Sequence, residues 1–135
     1  MPKKTTRQLI DSVKKQYKLI GSVYCKPIKA RVIFNRHGWN HAMYKSGGHR
    51  RNDQDIQMRL NLIPYAPEVI RQAMHAKQDI REETTNAKKI FVTYTEVRGI
   101  VDNRTKYFTV VIRKFPDCEY HYYSIKKHKA LIWRP

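Results

Sequence analysis

From Lys89 onward the chain reads with a period of two. Ile90 to Val97, Lys106 to Phe115 and Cys118 to Lys127 are rich in β-branched and aromatic residues, the types that fit a pleated surface. Asp102-Asn103 and Pro116-Asp117 lie between them as turn formers. Three strands joined by short loops predict an antiparallel meander. The first half reads with a different period. Leu9, Ile10, Val13 and Tyr17 recur at three-to-four spacing, predicting a helix over 5–20. Arg31 to Asn35 reads as a short strand broken by Gly38, after which Trp39 to Lys45 starts a helix capped by Asn35 or Asn40 and ended by Ser46-Gly47-Gly48. Asp53 and Asp55 open a further helix where the macrodipole favours acids, with Ile56, Leu60 and Ile63 on one face. Pro64 and Pro67 interrupt it, Glu68 to Ala76 resumes as helix, and Arg81 to Lys88 reads as a polar loop. Helices first and sheet last predict an α+β fold, with N-terminal helices packed on a C-terminal antiparallel sheet of about four strands. At 135 residues the chain is expected to form a single domain, 1–135.

Alternation divides each strand into two faces. Phe108, Val110 and Ile112 form the face a helix would cover, leaving Tyr107, Thr109, Val111 and Arg113 opposite. Strict alternation splits the last strand into Tyr120, Tyr122, Ser124 and Lys126 against Glu119, His121, Tyr123 and Ile125. The first strand splits into Phe91, Thr93, Thr95 and Val97 against Val92, Tyr94 and Glu96. Threonine, arginine, tyrosine, serine and lysine on adjacent strands make a surface both cationic and aromatic. That mixture suits RNA, since cations meet phosphates while rings stack on bases. An ordinary solvated sheet face carries the same residue types.

Charge narrows the partners. Lys plus Arg number 28 against 11 Asp plus Glu, a formal net charge of +17. A surplus of this size points to a polyanion, of which nucleic acid is the commonest. The basic residues run from Lys3 to Arg134 and include the strands, unlike the one-sided basic helix of a membrane-surface binder. The longest apolar stretches, such as Val110-Val111-Ile112, are far short of a membrane span. The basic N-terminus is not followed by an apolar stretch of signal-peptide type. Cys25 and Cys118, 93 positions apart, suggest thiols in a reducing, cytoplasmic compartment.

Six histidines offer two chemistries. His37 and His41, four apart on a helix, resemble half of a zinc site with Cys25, but no second cysteine lies near in sequence. No metal or other cofactor is expected. Alternatively His41 moves protons. RNA is cut without a metal when the 2′-hydroxyl loses its proton, the 5′-oxygen gains one and the phosphorane charge is balanced. The chain has no phosphate-binding glycine loop, and its acids are scattered rather than paired for two magnesium ions. A packed or surface histidine is the bland alternative.

Val32-Ile-Phe-Asn-Arg-His-Gly-Trp-Asn-His-Ala42, followed by an arginine-bearing helix and the meander, resembles the barnase–EndoU–colicin–RelE superfamily of small ribonucleases, in its phage and bacterial-competition toxin branch. The resemblance spans residues 28–128, leaving 1–27 as an N-terminal helix and lead-in. It implies helices on a four-stranded antiparallel sheet with the active site on the open sheet face. It implies endonucleolytic cleavage of RNA, with tRNA as the expected substrate, leaving a 2′,3′-cyclic phosphate. His41 matches the helix motif, and Arg50, Arg51 or Arg59 the following basic position; Arg113 matches the penultimate strand and Ser124 the late-strand hydroxyl. The roles implied are acid or base for His41, phosphate clamps for Arg113 and Arg59, and positioning for Ser124 and Tyr94. Arg50, Arg51, Thr93, Tyr122 and Lys126 are the candidate RNA contacts. An acidic inhibitor, antitoxin or immunity protein is the expected partner, and delivery into a target bacterial cell a possible route. The contrasting expectation is a non-catalytic RNA- or DNA-binding module.

Overall fold

The computed structural model describes residues 4–101 and 106–128. Helix α1 (Thr6–Ile20) starts in a reciprocal capping box between Thr5 and Gln8. It buries Val13 and Tyr17, and Leu9 and Ile10 pack at the edge of the core. Strands β1 (Ser22–Cys25) and β2 (Ala30–Ile33) pair antiparallel around a 3₁₀ turn at Lys26–Ile28. Asn35 then caps α2 (Arg36–Met43), its side chain accepting from the His37 amide at 3.1 Å. Asn52 does the same for α3 (Asp53–Leu62). A 3₁₀ turn over Ile63–Tyr65 leads to α4 (Ala66–Gln72).

The rest is sheet: β3 (Ala76–Thr85), β4 (Lys88–Val101), β5 (Lys106–Lys114) and β6 (His121–His128). β4, β5 and β6 form the expected antiparallel meander, β3 adds an unpredicted strand at its edge, and the sheet is larger and mixed. Its order is β1-β2-β6-β5-β4-β3, and β2 meets β6 in parallel through Ile33 and His121. Six strands thus replace about four, and β1 lies within the stretch read as helix and lead-in. Helix α4 ends at Gln72, short of Ala76, and Arg81 to Lys88 is not a loop. Thr85 pairs with Lys88 across a turn whose central residues, Asn86 and Ala87, both have positive φ, as the twist of a two-residue hairpin requires. β3 escaped the reading because it is an edge strand, mostly exposed on both faces, and so has no apolar alternation to betray it. The predicted turn at Asp102-Asn103 lies outside the described residues.

The helices cover one face of the sheet. Val97, Val101, Phe108, Val110, Ile112, Tyr122 and Ile125 meet Ile56, Leu60, Ile63, Val69 and Ile70 in one core. Full burial of side chains of this size contributes about 1.5–3 kcal/mol each. Gly38, unlike Gly99, is required for the close approach of helix to sheet. A Cβ on Gly99 would lie 3.4 Å from Val69 Cα, and one on Gly38 only 2.5–2.6 Å from Tyr122 and the Tyr17 hydroxyl. Gly38 therefore sits inside α2, letting it press on β6 rather than breaking the chain. Cys25 is buried and Cys118 exposed, both as free thiols. No described helix is long and apolar enough to cross a membrane.

Candidate active site

A β-bulge builds the open face. Val111 pairs with Ser124 and Ile112 with Tyr122, leaving Tyr123 as the extra residue. This breaks the strict alternation assumed for the last strand. Tyr122 turns into the core, where it stacks on Phe34 at 4.9 Å, so its ring is not available to RNA. Ser124 and Lys126 stay on the open face, opposite Val111 and Thr109. Tyr94 pairs with Arg113 and shares that face, which puts Thr93, opposite Lys114, on the other one. Tyr122 and Thr93 thus leave the set of candidate RNA contacts.

Tyr123 is where the helix and the sheet meet. The His41 ring stacks on it at 4.0 Å between centroids, the Arg113 guanidinium lies 4.1 Å from its centroid, and Tyr94 packs edge-on at 5.9 Å. Helix α2 supplies His41, and α3 with the residue just before its cap supplies the charge around it. Arg51 Nε donates to the His41 carbonyl oxygen at 3.0 Å, while Arg51 and Arg59 both bind Asp55, at 3.2 and 2.9 Å. One carboxylate thereby orients two guanidiniums. Although partial desolvation opposes it, hydrogen bonds and charge from Arg59 and Arg51 hold the Asp55 carboxyl below its usual range. Arg113 also donates from Nε to His121 Nε2 at 2.9 Å, and His121 packs against His37 and Phe115.

This setting keeps the imidazoles neutral. Burial, then the charges of Arg59, Arg51 and Arg113, lowers His41 to about 4. Burial, then Arg113 and His37, lowers His121 to about 3, and burial with Arg113 and Arg36 lowers His37. Tyr94 moves the other way, to about 12, through burial and its hydrogen bond to Glu83. The site therefore presents a neutral imidazole able to accept a proton and a phenol that is protonated at neutral pH and can give its proton to a stronger base.

Two clefts flank Tyr123. One, of about 480 Å³, is lined by His37, His41, Lys45, Arg51 and Arg113 among others. The second, of about 520 Å³, lies across Tyr94 and Ser124 towards Lys77, Asp79 and Arg81 on β3. Of the predicted site residues, His41, Arg51, Arg59, Tyr94, Arg113 and Ser124 gather around Tyr123. Arg50 instead pairs with Asp53 at 3.0 Å on the exposed start of α3, and Lys126 is exposed farther along β6. Tyr123, His121, Arg81 and Glu83 were not singled out from the sequence. The bulge that aims Tyr123 leaves no mark in the residue pattern. The edge strand hides Arg81, whose guanidinium lies 4.5 Å from the Tyr94 centroid.

The zinc alternative finds no ligand set. Cys25 is in the core, and among the described residues no group of three or more His, Cys, Asp or Glu side chains is placed to hold a metal ion. No family model, no curated protein and no solved structure matches this chain.

Proposed function

We propose that the chain is a metal-independent endoribonuclease. One observation carries the reading: the His41 ring is stacked on Tyr123, which the Arg113 guanidinium also contacts, with the charges of Arg51 and Arg59 close by. His41 takes the proton of the 2′-hydroxyl as that oxygen attacks the adjacent phosphorus. Arg113, with Arg51 and Arg59, balances the charge on the phosphorane. The phosphorane's negative charge offsets the guanidiniums that depress His41, so the proton is held more firmly once substrate is bound. The phosphorus–5′-oxygen bond then breaks, the Tyr94 hydroxyl gives up its hydrogen bond to Glu83 to protonate the leaving oxygen, and a 2′,3′-cyclic phosphate and a 5′-hydroxyl remain. Ser124 positions the phosphate or ribose. The superfamily resemblance extends the proposal to tRNA as substrate, a toxin's role, and an acidic protein that restrains it.

The test is an all-DNA oligonucleotide carrying one ribonucleotide, incubated in EDTA, with products weighed by mass spectrometry. Cleavage only after the ribonucleotide, leaving a cyclic phosphate, is expected, because DNA lacks the attacking hydroxyl. Equal cutting of the all-DNA control overturns the proposed chemistry. Salt-sensitive binding without cleavage of this oligonucleotide or of mixed cellular RNA replaces it with the non-catalytic reading.

A further inference from the structure

The last strand of the sheet carries a self-complementary edge. Among the described residues β3 pairs only with β4, so its other edge presents unused backbone donors and acceptors along ten residues. Natural edge strands are usually short or blocked by lysine, proline or a bulge. This one is long, has regular pairing with β4 from Ala76 to Thr85, contains no proline, and carries one lysine, Lys77. It is also unusual in charge for a chain of +17, with Lys77 and Arg81 against Asp79, Glu82 and Glu83.

We infer that two copies of the chain pair antiparallel through β3, about a two-fold axis at Ile80. In that register Lys77 lies opposite Glu83 of the second copy, Asp79 opposite Arg81, and Ile80 opposite Ile80, and the symmetry doubles both charged pairs. Cross-strand pairs of opposite charge stabilise a sheet, whereas like pairs destabilise it. Moving the axis to residue 79 places Asp79 against Asp79; moving it to residue 81 places Arg81 against Arg81. The register at Ile80 also uses nearly the whole strand. On the opposite face, Ile80 is 65 % exposed and Phe91, paired with Glu82 on the adjoining strand, is 63 % exposed. The two-fold axis gathers both pairs of these apolar side chains into one cluster. Dimerising here joins the chains through a strand whose two basic and three acidic residues give a local charge of −1 in a chain of +17, and a two-fold axis perpendicular to the sheet leaves both open faces on the same side of a twelve-stranded sheet.

Sedimentation equilibrium of concentrated wild-type protein is expected to give twice the chain mass. Ile80→Lys and Ile80→Glu each place like charges on the axis and are expected to be monomeric with unchanged circular dichroism. Mixing the two variants sets lysine against glutamate and is expected to restore the dimer. A monomeric wild type, an Ile80→Lys protein that remains dimeric, or a mixture that stays monomeric overturns the proposal. Ile80 faces away from Tyr94 and Arg113, so none of these outcomes depends on ribonuclease activity.

Discussion

Replacing Gly38 with alanine tests how the fold positions its candidate base. The added Cβ would lie 2.5 Å from Tyr122 Cδ2, 2.6 Å from the Tyr122 carbonyl oxygen and 2.6 Å from the Tyr17 hydroxyl. None of these atoms swings away freely. Tyr122 is stacked on Phe34, and the Tyr17 hydroxyl donates to the Asn35 carbonyl oxygen at 2.6 Å. Ordinary contact therefore requires α2 to lift by roughly 1 Å, and overpacking of this kind costs about 1–3 kcal/mol. For a domain of this size that corresponds to a loss of roughly 4–12 °C in Tm. His41 lies one turn farther along α2, so the same displacement carries its ring off Tyr123, and a shift near 1 Å lowers turnover by about 10²-fold. Gly99→Ala is the control: its Cβ would meet Val69 at an ordinary 3.4–3.5 Å, and alanine suits a strand better than glycine. Calorimetry and RNA cleavage measured on both variants separate the cases. If Gly38→Ala melts within about 2 °C of wild type, half of the least that overpacking is expected to cost here, the close approach of α2 to β6 is refuted.

The remaining predictions concern the site. His41, His121 and His37 all have folded pKa values below the ordinary 6.5. The unfolded chain therefore binds protons first, and stability falls as pH drops from 6.5 towards 4. Urea midpoints at pH 7.5 and 5.5 measure the decline, and the His41 ring resonance is expected to titrate near 4; a midpoint near 6.5 contradicts its burial among arginines. Tyr123→Phe keeps the ring between His41 and Arg113 and is expected to cleave at nearly the parental rate, whereas Tyr123→Ala loses about tenfold or more. Equal activity in Tyr123→Ala shows that the stack does not position the imidazole.

Periodicity made much of this architecture legible. Ile56, Leu60 and Ile63 are buried as their spacing implies, and Phe108, Val110 and Ile112 face the helices. His41, Tyr94, Arg113 and Ser124, chosen from different parts of the chain, reach one surface because α2 crosses the end of β6. What stayed hidden had physical reasons. β1 spans only four residues, β3 is solvated on both faces, and the bulge shifts the phase of β6 without a glycine or proline to announce it. That phase shift exchanges Tyr122, which strict alternation places outside, for Tyr123, which becomes the centre of the candidate site.

The most direct measurement is single-turnover cleavage of RNA in EDTA by wild type, His41→Ala and Arg113→Ala, with RNA affinity measured in parallel. Removing a general base costs about 10²–10⁴-fold in rate. Losing one of several phosphate-facing cations changes affinity far less. Losses of that size in both variants, with binding kept within severalfold, are the predicted result. Cleavage by both variants at the parental rate would contradict the assignment of proton transfer and phosphorane stabilisation to this cluster.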